Sequence, residues 1–333
     1  MTNSELIKQL FLSFNSKDDD AFMQAARAYI EREKRKKHTI VAKDLEKALY
    51  QTAASSGTQK LYKTSPPIPR DNEKGFPLLE IQHFDVDFDA LLLSERTKNQ
   101  LERIMREFKD ADILASYNLE PKKKILLCGK PGTGKTFSVQ AISSVLHIPV
   151  VYIRFDAIIS SYLGETAGNL RKVFDFIEKG TWIVLFDEFD IIGKNRDDHH
   201  EHGEVKRVVN NFLQMLDNIK GDSLLFAATN HQNILDSAIW RRFDAVIDYE
   251  LPNESTRKTL FEHYLKPLKR DKNLNLSQAV KQSKGLSPAD IKMIAIEALK
   301  SAIIDHRDTL KADDLASAIV QFSRREQVKQ GDA

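Results

Sequence analysis

Eight consecutive residues constrain this chain more than any others: Gly129-Lys130-Pro131-Gly132-Thr133-Gly134-Lys135-Thr136, directly after the apolar run Ile125-Leu126-Leu127-Cys128. The spacing G-x-x-x-x-G-K-T, set between a buried-strand pattern and a helical pattern, is the context in which a glycine-rich loop wraps phosphate. Glycines let successive main-chain N–H groups point inward, and the positive N-terminal end of the following helix reinforces them. Gly129, Pro131, Gly132, Thr133 and Gly134 are therefore expected to form the cradle. Lys135 is expected to neutralise the β- and γ-phosphates. Thr136 is expected to offer its hydroxyl to a magnesium ion, which resists full dehydration and keeps waters and phosphate oxygens among its ligands.

A chain of 333 residues, 41% of them apolar, is long enough for roughly two domains with a sizeable core. A formal net charge of +2 is close to balance and gives no general case for nucleic acid or a membrane surface, either of which needs a concentrated basic field. Cys128 is the sole cysteine, so an intramolecular disulfide is impossible and a reducing compartment is expected. No run approaches the ~18 consecutive apolar residues of a membrane span, and nothing resembles a secretory signal. The expectation is a soluble, cytoplasmic protein.

Residues 1–50 read as a helical recognition module. Leu6, Ile7, Leu10, Phe11 and Phe14 recur at the helical period, as do Phe22, Ala25, Ala26, Tyr29 and Ile30, then Val41, Leu45, Ala48 and Leu49. Asp18, Asp19 and Asp20 suit a helix start. The cluster Arg32, Lys34, Arg35, Lys36 and Lys37 suits a helix end, and is either a solvated terminus or a docking patch for an acidic partner. So small a unit buries too little to be very stable alone. Residues 51–79, with Ser65-Pro66-Pro67-Ile68-Pro69 and later Gly75 and Pro77, read as a semi-rigid linker.

Over residues 80–251 strands alternate with helices, as in a parallel sheet covered on both faces. Five apolar runs are expected to make the sheet: the run entering the phosphate loop, Val150 to Phe155, Trp182 to Phe186, Leu224 to Ala228 and Ala245 to Tyr249. The third ends in Asp187-Glu188-Phe189-Asp190, at the strand end where ligands bind in open sheets. Asp187 can hold magnesium through its water shell, and Glu188 can polarise a water for attack on the γ-phosphate. The fourth run ends in Ala228-Thr229-Asn230, whose amide carries donor and acceptor together and can bond both a phosphate oxygen and the attacking water. Before the fifth come Arg241 and Arg242, of which one could equally be an ordinary surface charge.

Taken together, the phosphate loop, the Phe186-to-Asp190 acidic strand end, Ala227-Ala228-Thr229-Asn230, the segment Leu235 to Asp244 and the later Gly285 to Asp290 resemble an AAA ATPase over roughly residues 80–325. The resemblance implies a doubly wound αβα core followed by a helical lid (residues 252–333), ATP and Mg2+ as cofactors, and a homo-oligomer, commonly a hexamer, with ATP at each interface. It assigns Lys135 and Thr136 to phosphate and magnesium, Asp187 to the magnesium side, Glu188 as the catalytic glutamate and Asn230 as the sensor. Arg241 and Arg242 become candidates for fingers reaching the neighbouring subunit's γ-phosphate. The common family pattern separates the two arginines by Pro-Gly, so which one plays which part stays open.

Tyr162-Leu163-Gly164 is similar to the aromatic, apolar, glycine loop with which threading members grip extended polypeptide; the alternative is a Tyr-Leu pair tucked against the core. Asp197, Asp198, His199, His200, Glu201 and His202 crowd one segment, read as a second pore loop in preference to a metal site because consecutive loop residues do not preform a tetrahedron. From Leu251-Pro252-Asn253 onward the pattern is helical to the end, with Thr259, Leu260, Tyr264, Ile291, Ile294, Ala295, Ala298, Leu299, Leu315, Ile319 and Phe322 on buried faces. Ser287-Pro288 is a strong helix start. Ala289 and Asp290 stand where other branches of the family place an arginine, which favours the protein-remodelling branch. The expected partner is thus a protein; a nucleic-acid motor is the alternative of another class, with neither a basic field nor a DNA-binding motif behind it. The layout also resembles bacterial ATPases encoded beside a subtilisin-like serine protease in two-gene phage-defence or plasmid-maintenance systems, which implies a third reading, a nucleotide-dependent protease partner that threads nothing.

Overall fold

A computed structural model of the chain describes residues 3–16, 19–35, 66–72, 75–155, 158, 163–190, 202–235, 237–271 and 274–330. The chain divides into two compact units, Met1–Ser65 and Pro66–Ala333.

In the first unit, α1 (Asn3–Ser16) and α2 (Asp19–Arg35) pack as a hairpin around Leu6, Ala25, Ala26 and Ile30. The helical periodicity foretold both helices but not which apolar residues are covered. Phe11, Leu12 and Phe14 stand 71%, 59% and 75% exposed, because two helices bury only one stripe of each. The third amphipathic stretch, Val41 to Leu49, lies outside the described residues.

The second unit is built on a six-stranded sheet. Its elements in chain order are β1 (Leu79–Gln82), α3 (Glu95–Lys109), α4 (Ala111–Ser116), β2 (Lys124–Gly129), α5 (Lys135–Leu146), β3 (Val150–Ile153), α6 (Leu163–Ile177), β4 (Ile183–Phe186), α7 (His202–Asn218), β5 (Leu224–Thr229), α8 (Ser237–Trp240) and β6 (Ala245–Tyr249). The strand order is β1-β3-β4-β5-β2-β6, all parallel except the edge strand β1, which runs antiparallel to β3. Five of these strands are the expected ones. β1 is a correction to the five-strand reading.

Alternate residues of each strand face opposite layers, which is why β2, β4 and β5 read as unbroken apolar runs. Leu126, Cys128, Val184, Phe186, Leu225 and Ala227 pack against α6 and α7 through Val173, Phe174, Phe212 and Leu216. Ile125, Leu127, Ile183, Leu185, Leu224 and Phe226 face α3 and α5 through Leu101, Ile104, Val139 and Ile142. The result is the expected doubly wound αβα arrangement.

The C-terminal part of this unit adds α9 (Glu254–Tyr264), α10 (Leu276–Gln282), α11 (Pro288–Ile304) and α12 (Ala312–Gln330), with a separate core of Leu260, Phe261, Val280, Ile291, Ala295, Ala298, Leu315 and Ile319. It is not helical throughout: β7 (Lys269–Arg270) and β8 (Thr309–Leu310) form a short parallel pair. Thr259 is exposed, and Phe261 takes the buried position on its helix. Arg307 clamps the following turn onto α12, its guanidinium donating to both carboxylate oxygens of Asp314 at 2.7 and 2.6 Å.

Candidate functional site

Parallel pairing puts the carboxyl ends of β2, β4 and β5 side by side: Cys128 lies opposite Thr229, and Phe186 opposite Ala227. Ligands of doubly wound sheets bind at such strand ends. Gly129 to Gly134 leave β2 there and turn into α5, whose N-cap is Gly134, in left-handed geometry and with no side chain capping the helix. The first-turn N–H groups of α5 are therefore presented to a ligand, the condition for an anion site.

Two glycines are required by close approach. A Cβ at Gly129 would fall 2.5 Å from the Tyr249 carbonyl oxygen on β6, and one at Gly132 would fall 2.7 Å from Ser287 Oγ and 2.8 Å from the Ala289 Cβ. Both also have positive φ, +146° and +75°. The second contact marks where the lid meets the loop, and the Ala289 N–H donates to the Gly132 carbonyl at 3.2 Å. What holds Ala289 there is a capping box, in which Ser287 Oγ accepts from the Asp290 N–H at 3.2 Å and Asp290 Oδ2 accepts from the Ser287 N–H at 2.9 Å.

Lys135 is buried at the base of the cradle. Its Nζ donates to the carbonyls of Gly129 (2.7 Å) and Lys130 (3.0 Å) and to Asn230 Oδ1 (2.8 Å), so the loop lysine and the residue after β5 meet directly. With Oδ1 accepting from lysine, the Asn230 Nδ2 is the donor left for a phosphate oxygen or a water. Burial pushes the lysine pKa below its ordinary value, and the carboxylates of Asp187 and Asp190 pull it partly back. Cys128, underneath the loop, is buried and its thiol is pushed up to about 11, which leaves it a packing residue and not a nucleophile.

Thr136 Oγ1 donates to Asp187 Oδ2 at 3.0 Å. A hydroxyl and a carboxylate in mutual contact at the edge of a phosphate cradle are a hard-oxygen donor set, and they fit Mg2+ with waters and phosphate oxygens completing its shell. The other oxygen, Asp187 Oδ1, accepts the Glu188 N–H at 2.9 Å. Glu188 sits at φ +51°, an uncommon setting for a side-chain-bearing residue. Its neighbour holds it there: the Phe189 N–H donates to the Ala228 carbonyl at 2.9 Å, and the fully buried Phe189 ring packs on Phe155, Phe212 and Phe243. The Glu188 carboxylate is thereby exposed on the wall of a cleft of about 470 Å³ that also contains the loop, Asp187 and Asn230.

The cleft has a wall that the motifs did not reveal. Leu91, Leu92 and Leu93, ahead of α3, and Leu260 and Tyr264 on α9 form an apolar side suited to a flat base, and Lys292 on α11 stands beside them. Tyr264 and Leu260 showed helical spacing alone; a leucine run carries no binding signal.

The arginines are elsewhere. β6 starts level with Ile125, so Arg241 and Arg242 lie at the amino-terminal edge of the sheet, a six-residue strand away from the loop, or roughly 20 Å at about 3.3 Å per residue. Arg242 Nε donates to Asp217 Oδ2 at 3.2 Å and its Nη1 to the Ala238 carbonyl at 2.6 Å. Arg241 is exposed, and no carboxylate pairs with it among the described residues. Tyr162, His199, His200 and Glu201 lie outside the described residues, while Leu163 and Gly164 open α6 and His202 opens α7. No helix of the described residues is long and apolar enough to cross a membrane.

Residues 125–251 match the model of the ATPase family associated with various cellular activities (AAA). An uncharacterized AAA family ATPase, y4kL, of Sinorhizobium fredii is 34% identical over 327 residues, 98% of this chain and 97% of that protein. A proteasome-activating nucleotidase of Saccharolobus islandicus is 34% identical over 239 residues, 69% of this chain and 61% of the relative. One from Methanopyrus kandleri is 30% identical over 276 residues, 80% of this chain and 63% of the relative, so the chain spans less than two thirds of either nucleotidase.

Proposed function

This chain belongs to the AAA family of ATPases, and from that premise we propose that it couples ATP hydrolysis to remodelling or threading a protein partner, as a hexameric ring in the cytoplasm. The observation that carries the proposal is the meeting of Lys135, Thr136, Asp187, Glu188 and Asn230 at one end of the sheet while Arg241 occupies the other. A guanidinium roughly 20 Å from its own loop, by strand length, serves a γ-phosphate only if that phosphate belongs to a neighbouring subunit. Hydrolysis then depends on assembly, which is how nucleotide state becomes motion between subunits.

Within one subunit the loop amides and Lys135 bind the phosphates, Thr136 and Asp187 would hold Mg2+, and the bound ion would neutralise charge on the β- and γ-oxygens. Glu188 accepts a proton from the attacking water, and Asn230 orients that water against the γ-phosphate. Arg241 stabilises the charge that develops there, an effect worth ~10³–10⁵ in rate when an arginine is supplied across an interface. Resemblance to proteasome-activating nucleotidases supports a protein as the thing acted on, with Tyr162, Leu163 and Gly164 as the gripping loop.

A second reading draws on the exposed Phe11, Leu12 and Phe14 and on the whole-length match to y4kL, which includes the N-terminal unit. In it, ATP turnover toggles a complex with a partner, for instance a subtilisin-like serine protease, and nothing is threaded. Glu188→Gln tests the shared core of both readings. It keeps the shape and loses the charge, so Mg·ATP binding should persist while phosphate release drops ~10²–10⁴-fold, the usual worth of general-base catalysis. Hydrolysis by this variant at the wild-type rate would refute the assignment. The same variant, held with ATP, is the bait for partner capture: retention of an unfolded polypeptide in a Tyr162-dependent way supports threading, and retention of a folded protease independently of Tyr162 supports the second reading.

A further inference from the structure

The chain enters its second unit at Pro66 and folds back on itself before the sheet begins. Arg70 pairs antiparallel with Pro77, the Asp71 N–H donates to the Phe76 carbonyl at 2.9 Å, and the Leu78 N–H donates to the Pro69 carbonyl at 3.0 Å. The returning arm runs directly into β1, the edge strand paired with β3. This strap is also fastened to α6. Lys172 Nζ donates to the Arg70 carbonyl at 3.0 Å and to Asn72 Oδ1 at 2.6 Å. One turn earlier on the same face of the helix, Asn169 Nδ2 donates to Asp71 Oδ1 at 2.9 Å. Asp71 and Asn169 are only 5% and 1% exposed. An apolar pair would hold a strap to a helix at lower cost, since burying a carboxylate is expensive. What the polar pair supplies is register, because it closes at one position along α6 and no other. Val173 and Phe174 meanwhile hold α6 to the sheet. The head of the same helix is Leu163-Gly164, and Gly164 precedes Asn169 by five residues, roughly 8 Å at 1.5 Å per residue.

We propose that Asp71 is a positioning residue for the gripping loop: by latching the strap onto Asn169 it fixes where the head of α6 stands, so that the chain leading in from the N-terminal unit and the loop that holds polypeptide move as one piece. This role rests on the reading of Tyr162, Leu163 and Gly164 as that loop. Full-length wild type, Asp71→Ala, Asp71→Asn, Lys172→Ala and Tyr162→Ala are compared by amide hydrogen exchange over α6 and by phosphate release with and without a reduced, carboxymethylated polypeptide that cannot fold. Asp71→Ala should speed exchange across residues 167–172, the first amides of α6 with acceptors in the helix, about tenfold, the worth of one hydrogen bond to a charged group. It should also abolish stimulation of phosphate release by the polypeptide while leaving the rate without polypeptide at the wild-type value. Asp71→Asn keeps an oxygen acceptor for Asn169 Nδ2 and should restore both properties. Lys172→Ala, at a half-buried position, should give the same changes at smaller amplitude and serves if Asp71→Ala fails to fold. Unchanged exchange in Asp71→Ala and Lys172→Ala, or stimulation that survives both but is lost in Tyr162→Ala, would overturn the role of Asp71 and leave the gripping loop standing. A wild type that the polypeptide does not stimulate, or stimulates equally without Tyr162, would instead remove the gripping loop and this inference together.

Discussion

Lys135 shows how much one burial changes. Its ammonium sits in a pocket that disfavours charge, so its pKa lies below the ordinary lysine value, while a phosphate in the cradle favours the charged form. Binding therefore requires the proton: below the lowered pKa the lysine is already charged and affinity does not depend on it, and above it each binding event must take up a proton. Nucleotide affinity is predicted to be flat near neutrality and to fall in the alkaline range, starting below the ~10.4 of an unperturbed lysine. Calorimetric titration across that range checks it, and affinity constant up to about 10.4 would contradict the buried ammonium. The identity of this lysine and of Thr136 was legible, because the G-x-x-x-x-G-K-T spacing carries its own mechanism. That Asn230 closes onto Lys135, or that a side chain at Gly132 would strike Ser287 and Ala289, was not, since those partners come from segments far apart along the chain.

Among elements, α8 and the turn after it give different surroundings to two adjacent arginines that the sequence left equivalent. Arg242 is committed within its own subunit, to Asp217 on α7 and to the carbonyl of Ala238, while Arg241 projects into solvent. Arg241→Ala should reduce turnover ~10³-fold or more with an unchanged melting temperature, the signature of a lost finger. Arg242→Ala should cost stability, on the order of 1 kcal/mol or less for an ion pair this exposed, with a smaller loss of turnover. Phosphate release and thermal unfolding measured on both variants check this. The reverse pattern, with Arg242 the residue whose loss is catalytic, would assign the finger to it. Elements were otherwise recovered in proportion to their length and burial. β2, β4 and β5 are covered on both faces and announce themselves, whereas β1 is a four-residue edge strand with one buried stripe, and the two-residue strands of the lid are too short for any period to register.

At the scale of the whole molecule, the phosphate loop and Arg241 lie on opposite edges of one sheet, and under the proposed function this would make activity a property of the assembly. Turnover per chain is predicted to rise with protein concentration and to level off once subunits are assembled, with sedimentation following the same curve. A rate per chain that stays constant through dissociation would show that the sites act alone. The near balance of charge, the parallel αβα class, the phosphate loop and the acidic strand end could all be read from residues close in sequence, because local spacing carries their physics. What only the tertiary structure decided is everything that spans the sheet or joins the lid to the loop: the hydrogen bond from Ala289 to Gly132, the apolar wall of Leu91, Leu260 and Tyr264, the place of Lys292, and the separation of Arg241 from its own phosphate site. Periodicity reports which face of an element is buried, and only folding in three dimensions determines what that face is buried against.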